Sequence, residues 1–340
     1  MVDESSFKAP KYLSFCEYKY IIEESVGEGS FSSVYKARHK WTGEPFAIKA
    51  ITKTTSPKRV LQELSILKTL NGENNCIKLL EVLRNEDQIL AIFPLIDHID
   101  FKDFILKSTS QDIKKYLYNL LVAVNHMHDK NIIHRDIKPG NFLYSIENEQ
   151  GCLIDFGLAE YERMKESSPQ KPTKPLIFFN SIVTPSKPPG YYERDARPPM
   201  KASRAGTRGF RAPEVLFRCE NQSRAIDIWS VGVIMLCILT GQYPFFLSVE
   251  DIDGLVEIGT IFGHSEMRKA ARYYGRTWKS NLQSISEDGI PFEYLIKNLN
   301  PNMEIDDDAI DLLKKLLELK CDSRITAGEA LEHPFFSNIR

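Results

Sequence analysis

The sequence predicts an α+β fold in two lobes, a small sheet-rich lobe followed by a larger helical one, with a cleft between them. Three observations carry that prediction. Between positions 20 and 52 the apolar residues fall in short strand-like runs separated by glycine turns. Beyond Pro94 they recur at three- and four-residue steps, the period of helices. A chain of 340 residues with 42 % apolar and 26 % charged side chains is long enough for such a unit and has a globular composition.

Residues 1–19 read as an N-terminal extension, 20–93 as the small lobe, and 94–340 as a hinge near 94–97 with the large lobe. Tyr20-Ile21-Ile22 opens the first strand, Ser33-Val34-Tyr35-Lys36-Ala37 forms the second, and Phe46-Ala47-Ile48-Lys49-Ala50-Ile51 the third. Trp41-Thr42-Gly43-Glu44-Pro45, between the last two, has hairpin-turn chemistry. Ser56-Pro57 starts a helix, a capping hydroxyl followed by proline at the first helical position, and Leu61, Leu64, Leu67 and Leu70 suggest its apolar stripe. Two more strands are expected at 77–84 and 89–93. A helix over 113–128 carries Leu117, Leu120, Leu121, Val124 and Met127 on one face. The apolar run at 228–239 is too short to span a bilayer and reads as a buried core helix. Residues 161–204 break the pattern with eight of the eighteen prolines and no sustained period. They read as a loop or partly disordered insertion holding an apolar island, Leu176-Ile177-Phe178-Phe179.

A net charge of −2 gives no global sign of a nucleic-acid or membrane binder. The six cysteines are scattered without a Cys-x-x-Cys pair, so they read as reduced core residues of an intracellular protein. The first residues are polar and acidic, so no secretory signal is expected. Of the seven histidines only His134 falls in a motif; the other six read as unpartnered.

Chemistry concentrates in two stretches. Val26 and then Gly27-Glu28-Gly29-Ser30-Phe31-Ser32-Ser33-Val34 lie between two strands, whereas a dinucleotide-binding loop would open a helix. Gly27 and Gly29 let backbone approach phosphates closely. Lys49 follows in a strand, where a buried ammonium is costly unless paired, and Glu63 on the next helix is its natural partner. Farther on come His134-Arg135-Asp136-Ile137-Lys138-Pro139-Gly140-Asn141 and, fourteen residues later, Asp155-Phe156-Gly157. These supply a carboxylate for a hydroxyl proton, a lysine for phosphate charge, and oxygen ligands for a hard metal ion. Phosphoryl transfer needs those parts and little covalent chemistry.

These stretches resemble the nucleotide-binding, catalytic and metal-binding loops of the eukaryotic protein kinases, which implies the bilobal protein kinase fold with ATP in the cleft. The resemblance implies that Lys49, aimed by Glu63, holds the α- and β-phosphates, and that Asp136 accepts the hydroxyl proton. It implies further that Lys138 neutralises the transferring group, and that Asn141 and Asp155 bind Mg2+. Ser32 stands where the family has a third glycine. Gly206-Thr207-Arg208-Gly209-Phe210-Arg211-Ala212-Pro213-Glu214 resembles the end of an activation segment, with Thr207 meeting Asp136 and Lys138. Lys138 and Thr207 favour serine and threonine substrates. Glu214 is expected to pair with Arg324, and Asp227 to hold the catalytic-loop backbone.

Within the superfamily, Gly-Glu-Gly-Ser-Phe-Ser-Ser-Val-Tyr, His-Arg-Asp-Ile-Lys-Pro-Gly-Asn-Phe-Leu-Tyr, Arg-Ala-Gly-Thr-Arg-Gly-Phe-Arg-Ala-Pro-Glu and the insertion before Gly206 are similar to the cell-division-cycle-seven family. That likeness implies the catalytic half of a nuclear heterodimer with an activator subunit, phosphorylating replicative helicase subunits to start DNA replication. The insertion is shorter than is usual there. Arg194, Arg197, Lys201, Arg204, Arg208 and Arg211 face one acid, Asp195, in this stretch. A basic rim of this kind favours acidic or phosphorylated substrates, with Arg204 and Arg211 as the expected substrate readers; the alternative is that the arginines brace a loop. Two rivals remain: a casein-kinase-two-like acidophilic kinase needing no activator, and a pseudokinase scaffold, which the intact Lys49, Asp136, Asn141 and Asp155 oppose.

Overall fold

A five-stranded antiparallel sheet in the order β1-β2-β3-β5-β4 builds the small lobe. Its strands are β1 (Tyr20–Glu28), β2 (Ser32–His39), β3 (Pro45–Ile51), β4 (Glu81–Asn85) and β5 (Gln88–Pro94), with helix α1 (Pro57–Leu70) between the third and fourth. The computed structural model describes residues 7, 9–29, 32–162 and 205–339. The expected Leu176–Phe179 island and most of the basic rim, Arg204 included, lie outside them. A 3-10 helix, Lys11–Cys16, packs Leu13 and Cys16 against Tyr20, Tyr35, Ile48 and Leu90. Part of the expected N-terminal extension is therefore small-lobe core.

Two details of α1 differ from expectation. Ser56 occupies the N-cap position, but its side chain makes no capping hydrogen bond. The inward face is Val60, Glu63, Ile66, Leu67 and Leu70, while Leu61 is exposed. Steps of three residues drift backwards around a 3.6-residue turn, so Leu61 and Leu70 cannot share a face. The buried positions follow the three-and-four alternation instead.

The large lobe begins after β5 with α2 (Phe101–Lys107) and α3 (Ser110–Asp129). The five apolar residues predicted for one face of α3 are all buried, and its start is closed by a capping box between Thr109 and Asp112. Short strands β6 (Ile132–Ile133), β7 (Phe142–Ser145), β8 (Gln150–Leu153) and β9 (Glu160–Tyr161) then carry the catalytic stretches. Helices α4 (Pro213–Leu216), α5 (Ala225–Thr240), α6 (Asp251–Tyr273), α7 (Phe292–Leu299), α8 (Asp307–Leu316) and α9 (Ala327–Leu331) complete the lobe. Every residue of α5 from Ile226 onward is buried, as the apolar run required. Gly263 interrupts α6 with non-helical backbone at φ 76°. Among the described residues no helix is long and apolar enough to cross a membrane. All six cysteines are free. Burial pushes the Cys76, Cys152, Cys219 and Cys237 thiols up to about 12, which suits inert core residues.

The expected pair of Glu214 and Arg324 joins α4 to the segment before α9. Arg324 donates to both Glu214 carboxylate oxygens, at 2.8 and 3.1 Å, and to the Ala225 carbonyl at 2.7 Å. Its guanidinium lies 5.3 Å from the centre of the Trp229 ring, and both charged side chains are buried. Removing one partner strands the other charge. Arg324→Ala is expected to lose about 3–5 kcal/mol of stability in urea denaturation. A loss under about 1 kcal/mol would show that the pair does not organise this end of the lobe.

Candidate active site

Lys49 sits on a rung that crosses the small-lobe sheet. Gly27 pairs with Val34, Val34 with Lys49, and Lys49 with Ala91. The glycine-bearing turn between β1 and β2 is thus held in register above the lysine, and the Gly29 N–H closes it by donating to the Ser32 carbonyl at 2.8 Å. Ser30 and Phe31, at its tip, lie outside the described residues; Val26, Glu28 and Ser33 flank it as expected.

The buried ammonium of Lys49 donates to Glu63 at 2.6 Å and to Asp155 at 2.7 Å. Burial works against the charged lysine, yet the two carboxylates outweigh it and hold its pKa above the ordinary value. Burial likewise opposes ionisation of Asp155, and Lys49 overcomes it, so that carboxyl is held below its ordinary value. Two residues that sequence reasoning missed fix this geometry: Arg59 donates to the Gly157 carbonyl and Gln62 to the Ala159 carbonyl. Arg59 lies one turn before Glu63 and Gln62 directly before it, so one stretch of α1 grips the lysine and the chain after Asp155.

The catalytic loop is shaped by Asp227. Its carboxylate accepts the backbone N–H of His134 at 2.9 Å and of Arg135 at 2.8 Å, and its second oxygen also meets His128 Nε2 at 3.0 Å. Arg135 adopts φ 70°, a left-handed conformation costly for a side-chain-bearing residue, which these bonds stabilise. His128 corrects the expectation that the other histidines lack partners. So do His333, bonded to Asp311, and His264, bonded to Trp278. A single sequence gives no signal for pairs that tertiary packing creates across helices.

Asp136, nearly buried, is the focus of the loop. Its Oδ1 accepts from the Thr207 N–H at 2.7 Å and from the Thr207 hydroxyl at 2.6 Å. Its Oδ2 lies 3.1 Å from Lys138 Nζ and 3.2 Å from Asn141 Nδ2. Lys138 also donates to the Thr207 hydroxyl at 2.9 Å. Asn141 uses its amide nitrogen on Asp136, leaving its amide oxygen for a cation. The Ile154 N–H donates to the Asn141 carbonyl at 2.8 Å, and β7 pairs Phe142 with Leu153 of β8, so Asn141 and Asp155 stand side by side. A half-exposed carboxylate and an amide oxygen fit a hard divalent ion that fills its remaining positions with water and phosphate oxygens. Phe156 is buried against His134, which leaves Asp155 facing the cleft.

The activation segment is tied at both described ends. Arg135 pairs with Glu160 at 2.7 Å, and Arg224 with Glu162 at 2.9 Å. At the other end Gly206, at φ 102°, passes close to the Arg135 carbonyl. Arg211 donates to the Gly206 carbonyl and to Asp251, both at 2.9 Å. Asp251, from the start of α6, thus braces Arg211, which the sequence offered either as a substrate reader or as a loop brace. Arg208 is exposed.

Comparison with known proteins agrees with this geometry. A model described as the protein kinase domain matches residues 20–336. The chain is 59 % identical to the probable cell division control protein 7 homolog 1 of Encephalitozoon cuniculi, over 97 % of this chain and 95 % of that one. It is 39 % identical to the cell cycle protein kinase spo4 of Schizosaccharomyces pombe, over 94 % and 86 %. It is 26 % identical to the human cell division cycle 7-related protein kinase, over 94 % and 89 %, in an alignment of 513 positions against this chain's 340.

The Lys49–Asp155 pair has a definite pH signature. Asp155 is depressed, so its contribution to stability is present above the ordinary value of 3.8 and is lost as pH falls through the lower folded value. Lys49 is raised, so its contribution is present below 10.5 and is lost as pH rises through the folded value. The stability difference between wild type and Asp155→Asn should be flat from about pH 5 to 9 and shrink below about pH 4. Urea denaturation across pH checks this, and a difference that changes steadily between pH 6 and 8 would refute the pairing.

Proposed function

We propose, for a chain that belongs to the protein kinase family and within it to the cell division control protein 7 kinases, that its serine/threonine phosphorylation is directed at acidic sites on the replicative minichromosome-maintenance helicase in the nucleus. We propose also that an activator subunit raises it to full activity. The observation that carries the catalytic part is the convergence of Lys138, Asn141 and Thr207 on Asp136. A substrate hydroxyl entering there meets a fixed carboxylate that takes its proton, beside an ammonium that offsets charge on the transferring group. Asn141 and Asp155 would hold Mg2+, which would offset charge on the phosphate oxygens of ATP, the phosphoryl donor. Lys49, held by Glu63, receives the phosphates beneath the glycine turn. The names of the relatives support the cell-cycle assignment.

The acidic preference rests on the arginines near Thr207. Arg211 enters this reading as a guanidinium oriented by Asp251, with exposed Arg208 beside it and Arg204 a few residues before. Both kinds of contact would place positive charge next to the residue after the acceptor. The activator proposal rests on the family likeness and on a long insertion with few apolar anchors.

Asp155→Asn is expected to lower Mg2+-dependent phosphorylation about a hundredfold or more, with cooperative unfolding preserved. Substantial residual transfer in a folded variant would remove Asp155 from the metal site.

A radiolabelled-ATP assay on helicase-tail peptides, with and without a co-purified activator, tests the rest. Ser-Asp, Ser-Glu and Ser-phosphoSer should exceed Ser-Ala by roughly tenfold to a hundredfold, since a charge-assisted contact is worth ~1.5–3 kcal/mol. Arg204→Ala should narrow the gap, and salt should shrink it. Equal turnover of all four peptides, or full activity of the chain alone, would overturn the corresponding half of the proposal.

A further inference from the structure

A second basic site lies in the large lobe, away from the catalytic stretches. Gly263 breaks α6, and the helical segment after the break carries His264, Arg268 and Arg272 at four-residue spacing, on one face. The chain then turns at Gly275, φ 65°, and returns with Arg276, Trp278 and Lys279. Together these line a cavity of about 630 Å3. No acidic side chain lines it among the described residues.

The cavity is built rather than incidental. Trp278 is buried, and its ring lies so close to Gly259 that a Cβ there would come within 2.9 Å of it. Its indole N–H donates to His264 Nδ1 at 2.8 Å, which leaves Nε2 as the protonated, donating nitrogen of a neutral imidazole. Arg276 is anchored through the Phe217 and Arg218 carbonyls. Arg268 pairs with Glu287, outside the lining. Arg272 and Lys279 are exposed, and the Thr277 and Ser280 hydroxyls add neutral donors. Three guanidinium groups and one ammonium around one concavity repel one another, and an anion relieves that repulsion.

We propose that this cavity binds a phosphorylated, acidic segment of a protein partner. Guanidinium, ammonium, imidazole N–H and hydroxyl groups together match a phosphate dianion with acidic neighbours. A nucleic acid fits less well: the Trp278 face is buried, so it offers no platform for a base, and the chain's net charge is −2. The site also has a reach. From Asp251, which holds Arg211, to Gly263 the helix rises ~18 Å, a span covered by about six extended residues. A partner whose phosphate lies several residues away from its acceptor hydroxyl can occupy both sites at once, a consequence that rests on the kinase reading.

The test is binding without nucleotide. A fluorescein-labelled peptide with two phosphothreonines among aspartates and glutamates is titrated with the full chain and followed by anisotropy. Arg272→Glu and Lys279→Glu should each raise Kd about tenfold or more, with the melting curve unchanged. Equal Kd in wild type and the double variant would overturn the proposal. So would an unphosphorylated acidic peptide or inorganic phosphate binding as tightly as the phosphopeptide, or a single-stranded oligonucleotide doing so through the same residues. No phosphoryl transfer is measured, so a negative result leaves the kinase reading intact, and loss of catalysis in Asp136→Asn leaves Kd unchanged.

Discussion

One buried ammonium ties the two lobes together. Lys49 comes from β3, Glu63 from α1 and Asp155 from the loop after β8, and the lysine touches both carboxylates within 2.7 Å. An ammonium in a strand interior is tolerable only while paired, so the position of α1 and the direction of the Asp155 side chain become conditions of the small lobe's own stability. Arg59 and Gln62 extend the same condition to backbone. A rotation of α1 that withdrew Glu63 would also release the Gly157 and Ala159 carbonyls. Asp155 and Lys49 thus move as a unit.

The catalytic loop uses a second buried charge in a different way. Asp227 pairs with backbone N–H groups, and its strength lies in holding a conformation the loop would not otherwise keep. Arg135 at φ 70° and Asp155 at φ 60° are both left-handed, and both flank functional atoms. Asp227 compensates the first directly, and Lys49 with the Gly157 N–H restrains the second. Local backbone strain is stored where Asp136 and Asp155 must point into the cleft.

Much of this was legible in the sequence because its groups sit in short runs whose spacing is fixed by local geometry. The strand bearing Lys49, the α3 stripe, the loop from His134 to Asn141 and the pairing of Glu214 with Arg324 all fell where expected. The stripe on α1 did not, because leucines at strict three-residue steps look periodic yet wind off the buried face, and Glu63 rather than Leu61 points inward. Arg59 was detectable in principle, since it lies four residues, one helical turn, before Glu63. His128 and Asp251 were not. Their roles arise from helices that meet only in the folded chain, and nothing in their neighbours distinguishes them from ordinary surface residues.

Asp251 also bears on how the site tolerates the chain inserted before Gly206. Glu160 and Glu162 fix the segment's entry through Arg135 and Arg224, and Asp251 fixes its exit through Arg211. Thr207 is then set on Asp136 from the exit side, independently of how much chain runs between the two anchors. Closing a longer loop between fixed ends costs only about 0.6 kcal/mol for each doubling of length. Three charged contacts at the ends can meet that cost without disturbing Thr207. A shorter or a longer insertion is therefore compatible with the same site, provided the carboxylates at both ends are kept.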